Sequence, residues 1–233
     1  MSYTSAAEAK QAILEAGRRL YQRAYVAAND GNISARMDDG TVWATPTGVS
    51  KGFMTEDMLV RLAPDGTVVE GTWKVSSEIA MHLAVYRENP TLGGVVHAHS
   101  PAATAFATLG RDFDMAISLE TAVQLGVIPC APYAVTGSAE LAERAAVYCR
   151  AYNGCFLEHH GAVTWGADVL QALFRTECLE HTVTMYEHML GLGEVRLLTE
   201  EQLTELDSVR KKFGITTGGR PKGRPNPEQQ PRL

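Results

Sequence analysis

The apolar positions near the start of the chain fall at helical spacing. Ala12, Ile13, Gly17, Leu20 and Tyr21 recur near a 3.6-residue period with charged residues between them, which predicts an amphipathic helix over residues 6–28. Asn29-Asp30-Gly31-Asn32 closes it with turn chemistry. The period then changes to two. Ile33-Ser34-Ala35-Arg36-Met37 alternates as a strand does, Asp38-Asp39-Gly40 is a hairpin turn, and Thr41-Val42-Trp43-Ala44-Thr45 returns. Pro46-Thr47-Gly48 breaks that strand, and Asp65-Gly66 joins two more short ones around residues 58–62 and 67–69.

Helical spacing resumes after Ser76-Ser77, either of which suits an N-cap, and runs through Met81-His82-Leu83-Ala84-Val85-Tyr86 until Asn89-Pro90 stops it. A strand over 94–99 and a helix from Pro101 to about Leu109 follow. Residues 119–125 read as a short helix, Pro129 to Tyr133 as extended, and 138–150 as a helix capped by Ser138. Strands at 155–157 and 162–165 bracket a histidine pair, a long helix over 168–190 takes Asp168 as its N-cap, and another runs from about Glu200 to Lys212. The short hairpin-linked strands predict a largely antiparallel sheet flanked by helices, in one domain over residues 1–215. Residues 216–233 are Gly/Pro-rich and basic with no apolar period, and read as a tail without regular structure, draped on a neighbouring subunit.

Composition narrows the class. With 233 residues, 45% of them hydrophobic, the chain can bury a substantial core. A net charge of −6 argues against a nucleic-acid-binding domain. The four cysteines are widely spaced with no C-x-x-C, so they read as buried thiols of a reducing compartment. The start lacks a basic-then-apolar signal pattern and no apolar run reaches membrane-spanning length. A cytoplasmic protein with neither nucleic-acid nor membrane partners is expected.

Candidate chemistry gathers on histidines. In Val95-Val96-His97-Ala98-His99-Ser100 the two imidazoles lie two apart on a predicted strand, so both face one way, which suits a divalent metal with nitrogen ligands. His159-His160-Gly161 is a second doublet; adjacent residues of a strand face opposite ways, so only one of them binds. His97, His99 and His160 form the strongest constellation, and neutral imidazoles suit Zn²⁺, Mn²⁺ or Co²⁺. His82, His181 and His188 lack paired spacing and read as structural or surface residues. Glu78 is the natural acid/base beside an open metal site. The turns Gly31-Asn32-Ile33-Ser34, Thr45-Pro46-Thr47-Gly48 and Ser76-Ser77 offer amide and hydroxyl donors for an anion such as phosphate. Lys51, three residues past Gly48, is a candidate cation for that anion, with a solvated surface lysine as the weightier reading.

Those motifs, with Cys130-Ala131-Pro132-Tyr133, occur in the order and spacing of a known family. Over about residues 8–213 the chain resembles the class II aldolase/adducin family, and within it the L-fuculose-1-phosphate aldolase branch. The resemblance implies a three-layer α/β/α fold around a mainly antiparallel sheet. It implies a metal-dependent lyase that cleaves a ketose 1-phosphate between C3 and C4, through an enediolate, to dihydroxyacetone phosphate and a small aldehyde. By matching positions His97, His99 and His160 hold the metal, most simply one Zn²⁺ per subunit, and Glu78 is the acid/base at C3. Asn32, Thr47, Gly48, Ser76 and Ser77 bind the substrate phosphate. A homotetramer with active sites at subunit interfaces is implied as well. The chain departs from the fuculose enzymes at two tyrosines: residues 112–118 contain none, and Phe213 stands in the second place. A sister 4-epimerase, decarboxylase or dehydratase is the main alternative; a non-catalytic adducin-like module fits poorly with the intact histidines, and a zinc hydrolase with the lack of H-E-x-x-H.

Overall fold

A computed structural model of the protein describes residues 2–224. Its elements follow in order: α1 (Ala6–Gln22), β1 (Asn32–Arg36), β2 (Val42–Ala44), β3 (Val60–Leu62), β4 (Val68–Glu70), α2 (Ile79–Glu88), β5 (Gly94–Ala98), α3 (Pro101–Ala107), β6 (Cys130–Ala131), α4 (Ala139–Ala146), β7 (Gly154–Leu157), β8 (Gly161–Gly166), α5 (Val169–Leu192) and α6 (Glu200–Lys212). The strands form one eight-stranded sheet in the order β4-β3-β2-β1-β5-β8-β7-β6. Among the described strands only β6 and β7 pair in parallel. The remaining pairs are antiparallel, as the hairpin chemistry predicts.

Alternation along β5 separates two cores. Val95 packs with α2 and α4, alongside Trp165. Val96 packs on the opposite face with α1 and α5, and α3 adds a further cluster against Phe156 there. Helices therefore cover both faces, giving three layers. Burying each large apolar side chain contributes about 1.5–3 kcal/mol, so the sheet is fixed in register by both faces at once.

Several boundaries differ from the sequence reading. α1 stops at Gln22, because Ala24 turns left-handed (φ 55°) and Tyr25 N bonds back to Leu20 O. Residues 23–31 become an irregular loop rather than helix. Ser76 and Ser77 precede the N-cap position of α2, which is Glu78; Ser76 Oγ instead accepts from Glu78 N at 3.3 Å. The histidine pair lies in the turn between β7 and β8 rather than on a strand, with His159 at φ 58°. Residues 216–224 form no helix but are pinned to their own chain: Val127 N donates to Gly218 O, and Arg224 N to Leu198 O. Residues 225–233 of the expected tail lie outside the described residues. All four cysteines are free thiols; Cys149 and Cys155 are buried, Cys130 and Cys178 half-buried. No described helix is long and apolar enough to cross a membrane.

Candidate active site

β5 ends where the chemistry begins. Asn32 on β1 pairs across the sheet with His97 on β5, so an amide and an imidazole stand side by side. His99 follows just past the strand end. Gly161 opens β8 opposite them, and a Cβ there would lie 2.7 Å from Ala98 O and 2.9 Å from His99 Cδ2. A glycine after His160 is therefore what allows the second histidine turn to close on the first pair.

The three imidazoles form a near-equilateral triangle, with ring centroids 4.8, 4.8 and 4.9 Å apart. Glu78 completes the group: one ligand atom from each of Glu78, His97, His99 and His160 lies within 4.8 Å of the others. His97 Nδ1 lies 2.9 Å from Ala162 O and donates to it, which turns Nε2 toward the cluster. His99 Nδ1 faces Asp30 Oδ2 at 3.4 Å, and its Nε2 lies 2.9 Å from His97 Nε2. Two imidazole nitrogens turned toward one point at that distance are placed as ligands of one shared cation are. Burial, reinforced by His97, holds His99 and His160 below their ordinary values, His160 at about 4, so both present neutral nitrogens at pH 7. This donor set fits a divalent metal ion. His159, exposed on its left-handed turn, is outside the cluster.

Glu78 is buried and fully engaged. Its Oε2 accepts from Asn32 Nδ2 at 2.9 Å and lies 3.2 Å from His97 Nε2. Its Oε1 accepts from Thr136 Oγ1 at 2.9 Å and lies 3.4 Å from His160 Nε2. Burial raises its pKa, but His97, His160 and the Asn32 hydrogen bond outweigh that and hold the carboxyl well below the usual range.

A cavity of about 450 Å³ opens beside the carboxylate. Asn32, Thr47, Ser76 and Ser77 line it together with Glu78, His99 and His160. The turns are stitched to one another: Thr47 N donates to Lys74 O and Ser76 N to Thr45 O. Gly31, at φ 75°, brings the loop against β5, where a Cβ would lie 2.9 Å from His97 O. Gly48 follows Thr47 on the exposed side of the same turn at φ 74°.

Three residues take places in the site that the sequence alone does not assign. Lys51 is not a surface lysine: it is 2% exposed, lines the cavity, and donates from Nζ to Asn29 O at 2.9 Å and Val49 O at 2.6 Å. Burial lowers its pKa to about 8. Thr136 had no local signal, being in the loop after Pro132. His82 stands one helical turn after Glu78, a spacing that places both on one face of α2.

The sequence profile of the Class II Aldolase and Adducin N-terminal domain matches residues 11–186. A 3-oxo-tetronate 4-phosphate decarboxylase of Pectobacterium atrosepticum is 34% identical over 209 residues, spanning 88% of this chain and 95% of its own. An L-fuculose phosphate aldolase of Methanococcus maripaludis is 34% identical over 168 residues, spanning 72% of this chain and 90% of its own. Among solved structures, an L-fuculose 1-phosphate aldolase superposes with a TM-score of 0.81 at 27% identity, covering 92% of this chain and all of that one.

Proposed function

The chain belongs to the class II aldolase and adducin family, and from that premise we propose that it is a divalent-metal-dependent lyase cleaving a ketose 1-phosphate, L-fuculose 1-phosphate or a related pentulose or deoxypentulose phosphate, to dihydroxyacetone phosphate and a small aldehyde. The observation that carries this reading is Glu78: a buried carboxylate with both oxygens held, set among three imidazoles and opening on a cavity lined by anion-binding turns.

His97, His99 and His160 hold the ion, with Glu78 beside them. When bound, the ion supplies Lewis acidity against the negative charge that develops on the substrate's C2 oxygen. Cleavage makes C4=O from the C4 hydroxyl, breaks C3–C4 and leaves the electron pair on C3. The net proton change is loss of one from the C4 oxygen and gain of one at C3, and Glu78 is the group that delivers the latter. Asn32, Thr47, Gly48, Ser76 and Ser77 take the phosphate, beside the N-terminus of α2 and the Lys51 ammonium. Holding the phosphate away from the reacting carbons fixes C3 against Glu78.

A second reading has its own support. Removing the carboxylate from a 3-oxo-tetronate 4-phosphate leaves the same three-carbon ketone phosphate with the electron pair on the same carbon. That departure needs no proton taken from a C4 hydroxyl, and residues 112–118 and position 213 lack tyrosine. Tyr133 is the phenol that lines the cavity, and in the aldolase reading it faces the C4 side.

The test is isotope exchange with condensation. Dihydroxyacetone phosphate alone in D₂O should take deuterium at its hydroxymethyl carbon, and adding short aldehydes should yield ketose 1-phosphates. Glu78→Gln should silence the exchange and lower kcat by about 10²–10⁴-fold, with KM little changed. Exchange without condensation, together with CO₂ release from the 3-oxo acid phosphate, replaces the aldolase by the decarboxylase. Wild-type exchange in Glu78→Gln removes Glu78 from the chemistry.

We also propose a homotetramer as the working form, with apolar side chains left exposed on α5 in support.

A further inference from the structure

We propose that His82 is a positioning residue for Glu78: acting through Asn32, it fixes which end of an amide meets the catalytic carboxylate. The observation is a continuous buried chain of side chains. Tyr86 Oη lies 2.8 Å from Ser34 Oγ, Ser34 Oγ 2.7 Å from His82 Nδ1, and His82 Nε2 2.6 Å from Asn32 Oδ1. Asn32 Nδ2 is 2.9 Å from Glu78 Oε2. Tyr86, Ser34, His82 and Asn32 are each no more than 5% exposed.

The proton positions follow from the carboxylate end. An ionised carboxylate only accepts, so Asn32 must turn its N–H toward Glu78. Its carbonyl then faces His82 and also only accepts, so Nε2 of His82 must carry the hydrogen. Burial, helped by the neighbouring His97, outweighs the pull of Glu78 and keeps His82 neutral, so Nδ1 is a lone pair and Ser34 Oγ–H donates to it. Tyr86 Oη–H in turn is shared between Ser34 Oγ at 2.8 Å and Ser34 O at 3.0 Å, donating to both. From serine to carboxylate every donor points the same way. Reversing the amide would set two oxygens against each other at the catalytic end.

The placement comes from two short-range periods. Asn32 and Ser34 are two apart on β1 and share a face. Glu78 and His82 are four apart along α2 and share another. Packing α2 over β1 closes the four into one chain. Asn32 keeps a second N–H on Nδ2 for the cavity that it lines, so it can serve the carboxylate and a substrate anion together.

A ring that merely fills space would be replaceable by any side chain of its volume; a positioning ring is replaceable only by one that donates to Asn32 and accepts from Ser34. The catalytic consequence rests on the lyase reading above, and the tautomer does not. In zinc-loaded protein carrying ¹⁵N-histidine, long-range ¹H–¹⁵N correlation should show His82 as the Nε2–H tautomer; an Nδ1–H pattern overturns the proposal. His82→Leu should lower kcat about 10–100-fold with KM little changed, the usual effect of removing a group that orients a ligand or base. His82→Gln, which can donate and accept, should recover most of that loss at equal metal content and melting temperature. Equal losses in the two variants, or none in His82→Leu, overturn it. Should His82→Leu fail to fold, Ser34→Ala takes its place: the second tautomer should appear and kcat should fall, and an unchanged spectrum with unchanged kcat overturns the proposal. An inactive wild type with the Nε2–H tautomer defeats the lyase reading alone.

Discussion

A buried ammonium needs a counter-charge, and Lys51 has no ion pair among the described residues. Two of its three N–H donors are used by backbone carbonyls, which satisfies hydrogen bonding but not charge. α1 passes directly over its backbone at Gly17, where a Cβ would lie 2.5 Å from Lys51 O. The remaining donor sits at the wall of the cavity where the proposed substrate brings a phosphate, with Asp30, beyond ion-pair distance, as a partial counter-charge. Charge-assisted hydrogen bonds contribute about 1.5–3 kcal/mol. Lys51→Met should therefore raise KM about 10–100-fold at pH 7 with a much smaller change in kcat. The pH dependence has a definite sign. Above about 8 the wild-type amine loses its proton and its charge, so KM should climb between pH 7 and 9. Lys51→Met should start high and stay flat over that interval; steady-state kinetics on the phosphorylated substrate decides. Why His97 and His99 were legible in the sequence and Lys51 was not is a matter of range. Two-residue alternation on β5 is local and survives any packing. The burial of Lys51 is made by α1 and the 23–31 loop folding over it, which no neighbouring residue encodes.

Helix starts with both a period and a cap lie within a residue or two of the sequence expectation, whereas α4 ends at Ala146, four residues short of the expected 150. α5 and α6 start where Asp168 and Thr199 accept from Gln171 N and Gln202 N. The end of α1 was overshot because its stop is a left-handed alanine, a conformation that composition does not announce. The start of α3 shows an element held from far along the chain. Ser100 makes no side-chain cap there. Instead Glu180, buried on α5, accepts from Ala102 N at 3.0 Å and Ala103 N at 2.8 Å. α3 begins two residues after His99, so this contact ties a histidine of the proposed metal site to the long helix. Glu180→Ala leaves two buried amides without partners and should cost about 1–3 kcal/mol per amide left unsatisfied. Urea unfolding should register that loss. Metal titration of the still-folded variant should show weaker binding than in the wild type; unchanged metal affinity would mean that α3 holds His99 without Glu180.

At the scale of the molecule, the sheet carries its polar machinery at one end and its unfinished surfaces elsewhere. Of the apolar side chains along α5, Leu173 and Leu179 are in the core, whereas Phe174 is 52% and Leu192 87% exposed. The guanidinium of Arg19 lies 5.2 Å from the Phe174 ring centroid, and Phe174 and Phe213 line a second, apolar cavity of about 380 Å³ away from the histidines. Exposed aromatic side chains such as Phe174 and Phe213, meeting at one cavity, are the composition of a surface that another protein surface covers. For the proposed homotetramer that surface is one subunit's contact with the next. Light scattering at micromolar concentration should then give about four times the 25.3 kDa chain mass. Phe174→Asp puts a charge into that contact. It should lower the mass without lowering the helix content, because the side chain is outside the core of its own subunit. Activity discriminates further. If the sites lie between subunits, as the family resemblance implies, Phe174→Asp should lose turnover in proportion to lost assembly, and raising the protein concentration should restore both together. Turnover that persists in a dissociated chain would place the whole reaction within one subunit, and a wild-type monomer would remove the tetramer altogether.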